Sequence, residues 1–257
     1  MRRVDLRVSQ FLATGPGLAL ATLALALFTG CAAEEGSGDD EAPAAHASEV
    51  SATGPLEPVG SQRLCVTDGQ LDRIDPRTLS VDVGRMRGVI AGDASRSAEL
   101  AFRYPGPSRD EERLANGELR RQIGLKLRAK DTCNVVYVMW HIEPTSRIVV
   151  QVKSNPGAST HEQCGDAGYL SVPPTAGTAP PAIQPGEHHV LRADLDGEML
   201  TVVADGAVAW KGRLPAEAAV FDGPAGIRSD NGHFDFELRV PFGARTGAVC
   251  NVGQAAR

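Results

Sequence analysis

Three groupings of residues in this chain have types and spacing suited to chemistry. The first is His233-Phe234-Asp235-Phe236-Glu237-Leu238, where strand alternation puts His233, Asp235 and Glu237 in one row with the apolar residues behind them. Two carboxylates on one strand face can share acid and base work on a bond held between them. The second is Tyr137, His141 and Glu143, which occupy alternate positions of Asn134-Val135-Val136-Tyr137-Val138-Met139-Trp140-His141-Ile142-Glu143 and so share a strand face as well. An aromatic ring among polar groups suits a polyol, because the ring packs on C–H faces while its neighbours bind hydroxyls. The third grouping holds metal-ligating types: His161 and Cys164 three apart, His188 beside His189, and Asp205 and Asp230-Asn231 in turn-like stretches. Adjacent histidines on a strand face opposite ways, which argues against zinc. Calcium is the cation for which Asp205, Asp230 and Asn231 could supply loop oxygens, although Asp and Asn also favour turns for their own hydrogen bonds. The chain contains no Gly-rich phosphate loop, no Gly-x-Ser-x-Gly elbow and no His-Glu-x-x-His.

The elements that must position these residues are strands. Period-two alternation or β-branched enrichment predicts strands over 78–83, 98–104, 122–129, 134–142 and 148–153, and a short helix over 108–119. Between them lie turn signals at 130–131, 143–146 and 154–157, and the Asp-Gly pairs at 196–197 and 205–206 suit tight hairpins. Alternation sends Val136, Val138, Trp140 and Ile142 to the core with Ile123, Leu125, Leu127, Ile148, Val150 and Val152. If these three strands are neighbours, their other faces combine Tyr137, His141 and Glu143 with Lys126, Arg128, Gln151 and Lys153. That set is the candidate ligand groove, with the Tyr137 ring expected to stand exposed.

The stretch from Pro185 to Val240 is similar to the C-terminal meander of concanavalin A-like jelly rolls, the laminin-G-like and lectin/glucanase sandwiches. A strand containing Gly186-Glu187-His188-His189-Val190-Leu191 is followed by two hairpins. A return through Gly223-Pro224-Ala225-Gly226-Ile227-Arg228-Ser229 leads into the last strand. The resemblance implies an all-β fold, a two-sheet antiparallel jelly-roll sandwich, over residues 61–252. It does not choose among the superfamily's lectins, glycosidases, lyases and adhesion modules. Related glycosidases carry Glu-x-Asp-x-Glu on one strand, with the outer carboxylates of a retaining enzyme ~5–5.5 Å apart; here His233 stands in the first place, so that pair is incomplete. The resemblance also implies that the terminal strands lie side by side, which would pair Cys65 with Cys250. A hairpin would then bring Cys133 to Cys164.

The N-terminus carries an address. Arg2, Arg3 and Arg7 precede the apolar run Leu18–Cys31, which is too short to span a membrane and ends in small residues before a cysteine. Phe28-Thr29-Gly30-Cys31 resembles the lipobox of bacterial lipoproteins, which implies cleavage after residue 30 and lipidation of Cys31. Several acyl chains would hold the protein on its membrane, on either leaflet. Residues 31–60, rich in Ala, Glu, Asp, Gly, Ser and Pro, read as an acidic tether, and 253–257 as a tail. The four cysteines beyond Cys31 form an even set in an exported chain and favour two disulfides, for which spacing alone allows three pairings. The net charge of −6, made more acidic by loss of the arginine-rich leader, argues against a nucleic-acid partner. Two readings follow: a non-catalytic, membrane-anchored lipoprotein that binds a glycan or another envelope or extracellular component, or a glycan-active hydrolase or lyase working on the same face.

Overall fold

The computed structural model describes residues 55–241 except 93, 94 and 115. The strands are β1 (Leu56–Pro58), β2 (Leu64–Asp68), β3 (Asp72–Arg73), β4 (Leu79–Val81), β5 (Arg85–Ile90), β6 (Ser97–Pro107), β7 (Arg121–Leu127), β8 (Val135–Glu143) and β9 (Arg147–Lys153). After a one-turn helix α1 (His161–Cys164) come β10 (Tyr169–Val172), β11 (His188–Asp196), β12 (Met199–Ala204), β13 (Ala207–Arg213), β14 (Gly226–Asp230) and β15 (Gly232–Pro241).

Two antiparallel sheets face each other. The first runs β13-β12-β11-β6-β15-β4-β3, with β1 also paired to β15; the second runs β10-β9-β8-β7-β14-β5-β2. This is the all-β jelly-roll sandwich expected. The inner faces are the apolar halves of the alternation: Phe102, Phe234, Phe236 and Leu238 from the first sheet meet Ile123, Leu125, Val138, Trp140 and Ile227 from the second, all buried. Phe102 meets Trp140 edge to face, ring centres 5.8 Å apart, and the Trp140 indole N–H donates to Ser146 Oγ at 3.0 Å. The hairpins fall near the Asp-Gly pairs; Asp205 and Gly206 take φ of 49° and 82°, the left-handed pair that a two-residue turn with the native twist requires.

Two expectations about elements are corrected. The segment 108–119 is not helical. It has no apolar stripe to bury, and tertiary hydrogen bonds take its backbone instead: Asn231 Oδ1 accepts the Glu112 N–H at 2.6 Å, and Asn231 Nδ2 donates to the carbonyls of Glu112 (2.7 Å) and Arg120 (3.1 Å). The first strand lies at Leu56–Pro58, inside the stretch read as tether, where it pairs with β15 and leads to the buried Val59.

Candidate functional site

The strands β9, β8 and β7 are neighbours, and β14 and β5 extend the same sheet beyond them. Residues directly opposite across antiparallel strands point to the same face, so the register sets out the outer face of the second sheet in rows. One row is Ser171, Gln151, Tyr137, Lys126, Gly226 and Val89; the next is Val149, Met139, Gly124, Arg228 and Arg87; a third is Arg147, His141, Gln122 and Asp230. Beside the first row, Tyr169 stands opposite Lys153.

Aromatic and cationic groups interleave here. Tyr137 and Tyr169 stack with ring centres 6.2 Å apart and planes 21° from parallel. The Arg228 guanidinium lies 4.9 Å from the centre of the Tyr137 ring, and Lys153 Nζ 5.2 Å from that of Tyr169. Lys153 also donates to the Gly165 carbonyl at 2.7 Å, and Gln151 Nε2 to Ser171 Oγ at 3.3 Å. Two positions of this face require glycine because the neighbouring backbone comes close: a Cβ on Gly124 would sit 2.1 Å from the Val138 carbonyl oxygen, and one on Gly226 2.2 Å from that of Gly88. Gly226 stands opposite Lys126, and Gly124 opposite Arg228.

Asp230 is the carboxylate that holds this cluster. Its oxygens take Arg87 Nη2 at 2.5 Å, Arg228 Nε at 2.9 Å and Gln122 Nε2 at 2.5 Å. Burial alone would raise its pKa, but Arg228, Arg87 and the hydrogen bonds outweigh that and hold the group well below the usual carboxylate range. Burial, then Arg120 and Arg147, push His141 down to about 3. The His141 ring is therefore neutral, which agrees with Arg147 Nε donating to its Nδ1 at 3.3 Å. Burial, reinforced by Arg87 and Arg228, lowers Lys126 to about 7, and burial raises Tyr137 to about 12.

Of the predicted groove residues, the sheet brings together Tyr137, His141, Lys126, Gln151 and Lys153. Arg128 is not among them. β7 ends at Leu127, and a φ of 51° at Arg128 breaks the alternation; its Nε lies 3.6 Å from Asp222, the partner of Arg96. Glu143 is also outside the group. A bulge between Arg121 and Gln122 shifts the register at the end of β8, and Glu143 is exposed, bonded to Arg121, which Glu111 holds as well at 2.7 Å. The exposure expected of Tyr137 is corrected too. The ring lies on the face anticipated but is 5% exposed, packed with Tyr169 and in one cluster with Ala129, Val135 and Met139. Residues that reasoning from the sequence left out of the site are Arg87, Arg228, Asp230, Gln122 and Tyr169. Alternation marks Arg228 and Asp230 as outward, since Ile227 is core, yet no local signal places β14 beside β7.

His233, Asp235 and Glu237 share a face as expected, the outer face of the first sheet. Ser80 Oγ donates to Asp235 at 2.9 Å and Arg103 stands 3.7 Å from it, while Arg239 bonds Glu237 and reaches Glu99 at 2.9 Å. The turn oxygens considered for calcium are engaged within the protein: Asp205 accepts from Val190 N–H at 2.8 Å and pairs with His189 Nδ1 at 2.7 Å, and Asn231 holds the 108–119 segment. Among the described residues no group of three or more His, Cys, Asp or Glu is placed to hold a metal ion. Cys133 and Cys164 form a disulfide that ties α1 to the start of β8. Cys65 is disulfide-bonded, while Cys250 and the lipidation candidate Cys31 lie outside the described residues. No described helix is long and apolar enough to cross a membrane.

No protein-family model and no curated protein sequence matches the chain. In structure it is similar to the carbohydrate-binding module CBM66 from Bacillus subtilis, at 13% identity and a TM-score of 0.47, covering 68% of this chain and 92% of that one. It is similar also to domain 4 of AbnA, an extracellular arabinanase of Geobacillus stearothermophilus (12% identity, TM-score 0.39, 73% and 83% covered). A third is the galectin LEC-6 from Caenorhabditis elegans (11% identity, TM-score 0.36, 59% and 86% covered).

Proposed function

We propose that this protein is an exported lipoprotein, anchored through Cys31, whose sandwich binds a glycan on the outer face of its second sheet without cleaving it. One observation carries the binding reading: the stacked Tyr137–Tyr169 pair lies among Lys126, Arg228, Gln151 and Lys153, side chains rich in N–H donors. Rings supply a plane for a sugar's C–H face, and the surrounding donors take its oxygens. The state of the acids supports binding over catalysis. Hydrolysis needs one protonated and one free carboxyl group flanking a bond, whereas both oxygens of Asp230 are taken by arginines and Gln122, and Glu143 points away to Arg121. The Cys133–Cys164 bridge agrees with an oxidising compartment.

A glycan array probed with the full-length chain tests the reading. Tyr169 is half-buried, so Tyr169→Ala is expected to lower binding at least tenfold with a small change in melting temperature. An array on which wild type and Tyr169→Ala give the same signals, or none, would sink the assignment. The anchor is tested separately: Cys31→Ala should lose both label from a radioactive fatty acid and its retention with membranes.

A further inference from the structure

On the proposed binding face the cations outnumber the carboxylates among the described residues. Lys126, Arg87, Arg228 and Lys153 share that face with Asp230, which is spent on the two arginines, and with Asp68, which stands opposite Arg87 and pairs with Arg85 at 3.5 Å. Lys126 is 5% exposed, no hydrogen bond or ion pair to a described residue engages its Nζ, and that atom is not sealed from the surface. It stands directly opposite Tyr137 on one side and the bare backbone of Gly226 on the other. A largely desolvated ammonium with no acceptor from the protein costs folding free energy that a methionine of similar length would not. Such a group fits a site whose missing partner arrives with the ligand.

Resting on the glycan-binding reading, we infer that the ligand is an acidic sugar. Its carboxylate or sulfate is received by Lys126 beside Arg228, and its ring is seated against the Tyr137–Tyr169 pair. The anion supplies the acceptor that Lys126 lacks. Arg228 lies over Tyr137, so one sugar can meet ring and cations together. A neutral sugar offers Lys126 a hydroxyl acceptor but no charge to offset the ammonium, so its hydrogen bond is the weaker one.

Lys126 is lowered to about 7 by burial and by Arg87 and Arg228, so binding of an anion should weaken as the ammonium deprotonates. The other groups facing it are Tyr137 and His141 from β8, Arg228 and Asp230 from β14, Arg87 from β5, Lys153 from β9 and Tyr169 from β10. His141 and Tyr137 are displaced to about 3 and about 12, and Asp230 lies below the usual carboxylate range, all far from neutrality.

The test is calorimetric titration of the full-length chain with trigalacturonate, with a sulfated galactan trisaccharide, and with neutral galactotriose. At pH 6 at least one acidic trimer is expected to bind tenfold or more tightly than the neutral one, and comparing the two acids distinguishes carboxylate from sulfate. Its affinity should fall roughly tenfold from pH 6 to pH 8, as the ammonium fraction falls. Lys126→Met should abolish both the acid preference and the pH dependence, and circular dichroism with a melting temperature at pH 6 no lower than wild type would show it folded. Equal binding of acidic and neutral trimers would overturn the acidic-ligand inference and leave glycan binding standing. So would an acid preference that survives in Lys126→Met. Binding of no trimer, together with a blank glycan array, would overturn both.

Discussion

The two outer faces of this sandwich are built from the same alternation and treat charge in opposite ways. On the central strands of the first sheet the arginines are paired with carboxylates: Arg239 with Glu237 and Glu99, Arg103 with Asp235, Arg192 with Asp194, all partly open to water. On the second sheet one carboxylate serves two arginines while a lysine stands beside them without an acceptor, and Lys126, Lys153, His141, Gln122 and Asp230 are all buried. Solvated pairs add little to stability and cost little to keep. Buried cations are expensive, and a chain that retains them without an internal partner has a use for them that folding does not explain. The row His233, Asp235 and Glu237, which has the spacing of a catalytic motif, falls on the balanced face. The unbalanced one holds the candidate site.

The comparison breaks most visibly at Asp230. Asp230→Asn removes the carboxylate between Arg87 and Arg228 and should cost about 3–5 kcal/mol, or prevent folding. Urea unfolding at pH 7 measures it, and a loss under about 1 kcal/mol would mean that the two faces differ in appearance only. Next comes Tyr137→Ala, which opens a space under Tyr169 and Arg228 and is expected to cost about 3 kcal/mol by the same measurement. Its counterpart on the first sheet, Val190→Ala at a half-open position, should stay within about 0.5 kcal/mol.

Acid sharpens the contrast further. The unfolded chain's histidine takes a proton near pH 6.5, whereas His141 in the folded protein does so only at about 3. Proton uptake in that window therefore favours unfolding, and stability declines as pH falls from 6.5 toward 3. Below 3.8 Asp230 adds a second loss in the same direction, because its folded pKa is depressed while the unfolded carboxyl takes up its proton. Between pH 7 and pH 4.5 the decline from His141 is roughly 2–3 kcal/mol. Thermal melts across that range should follow it, and His141→Gln should flatten the curve. A small effect is expected again on the balanced face: Asp235→Asn loses a solvated pair with Arg103 while its amide oxygen can still accept from Ser80, for about 0–1 kcal/mol in urea. A loss as large as that of Asp230→Asn would erase the distinction.

Much of the architecture was legible in the residues. Alternation placed Phe234, Phe236 and Leu238 inward and Val136, Val138, Trp140 and Ile142 against them. The strand boundaries of β6 to β9 came within a few residues, because strongly alternating segments with turn residues at their ends leave few other solutions. The membership of Tyr137, Lys126, Gln151 and Lys153 on one face followed from three consecutive hairpin-connected strands. Arg128 and Glu143 were misplaced for local reasons, a left-handed residue and a bulge, both of which reset a period of two. The burial of Tyr137 has a signal in the sequence: Val135, Tyr137 and Met139 are apolar on the face opposite the core, and a strand apolar on both faces is a strand covered on both.

Local sequence dictates the sheet periodicity, the inward half of each strand and the identity of the charged residues. Each of these depends on neighbours within a few positions. Only the tertiary structure decided that β14 lies between β7 and β5, which brings Arg228 and Asp230 from a hundred residues away to meet Gln122, Lys126 and Arg87. Pairing between distant strands is selected by how two whole sheets close on a common core, and no local pattern of side chains encodes it. The charge imbalance that marks the candidate site exists only once that pairing is made.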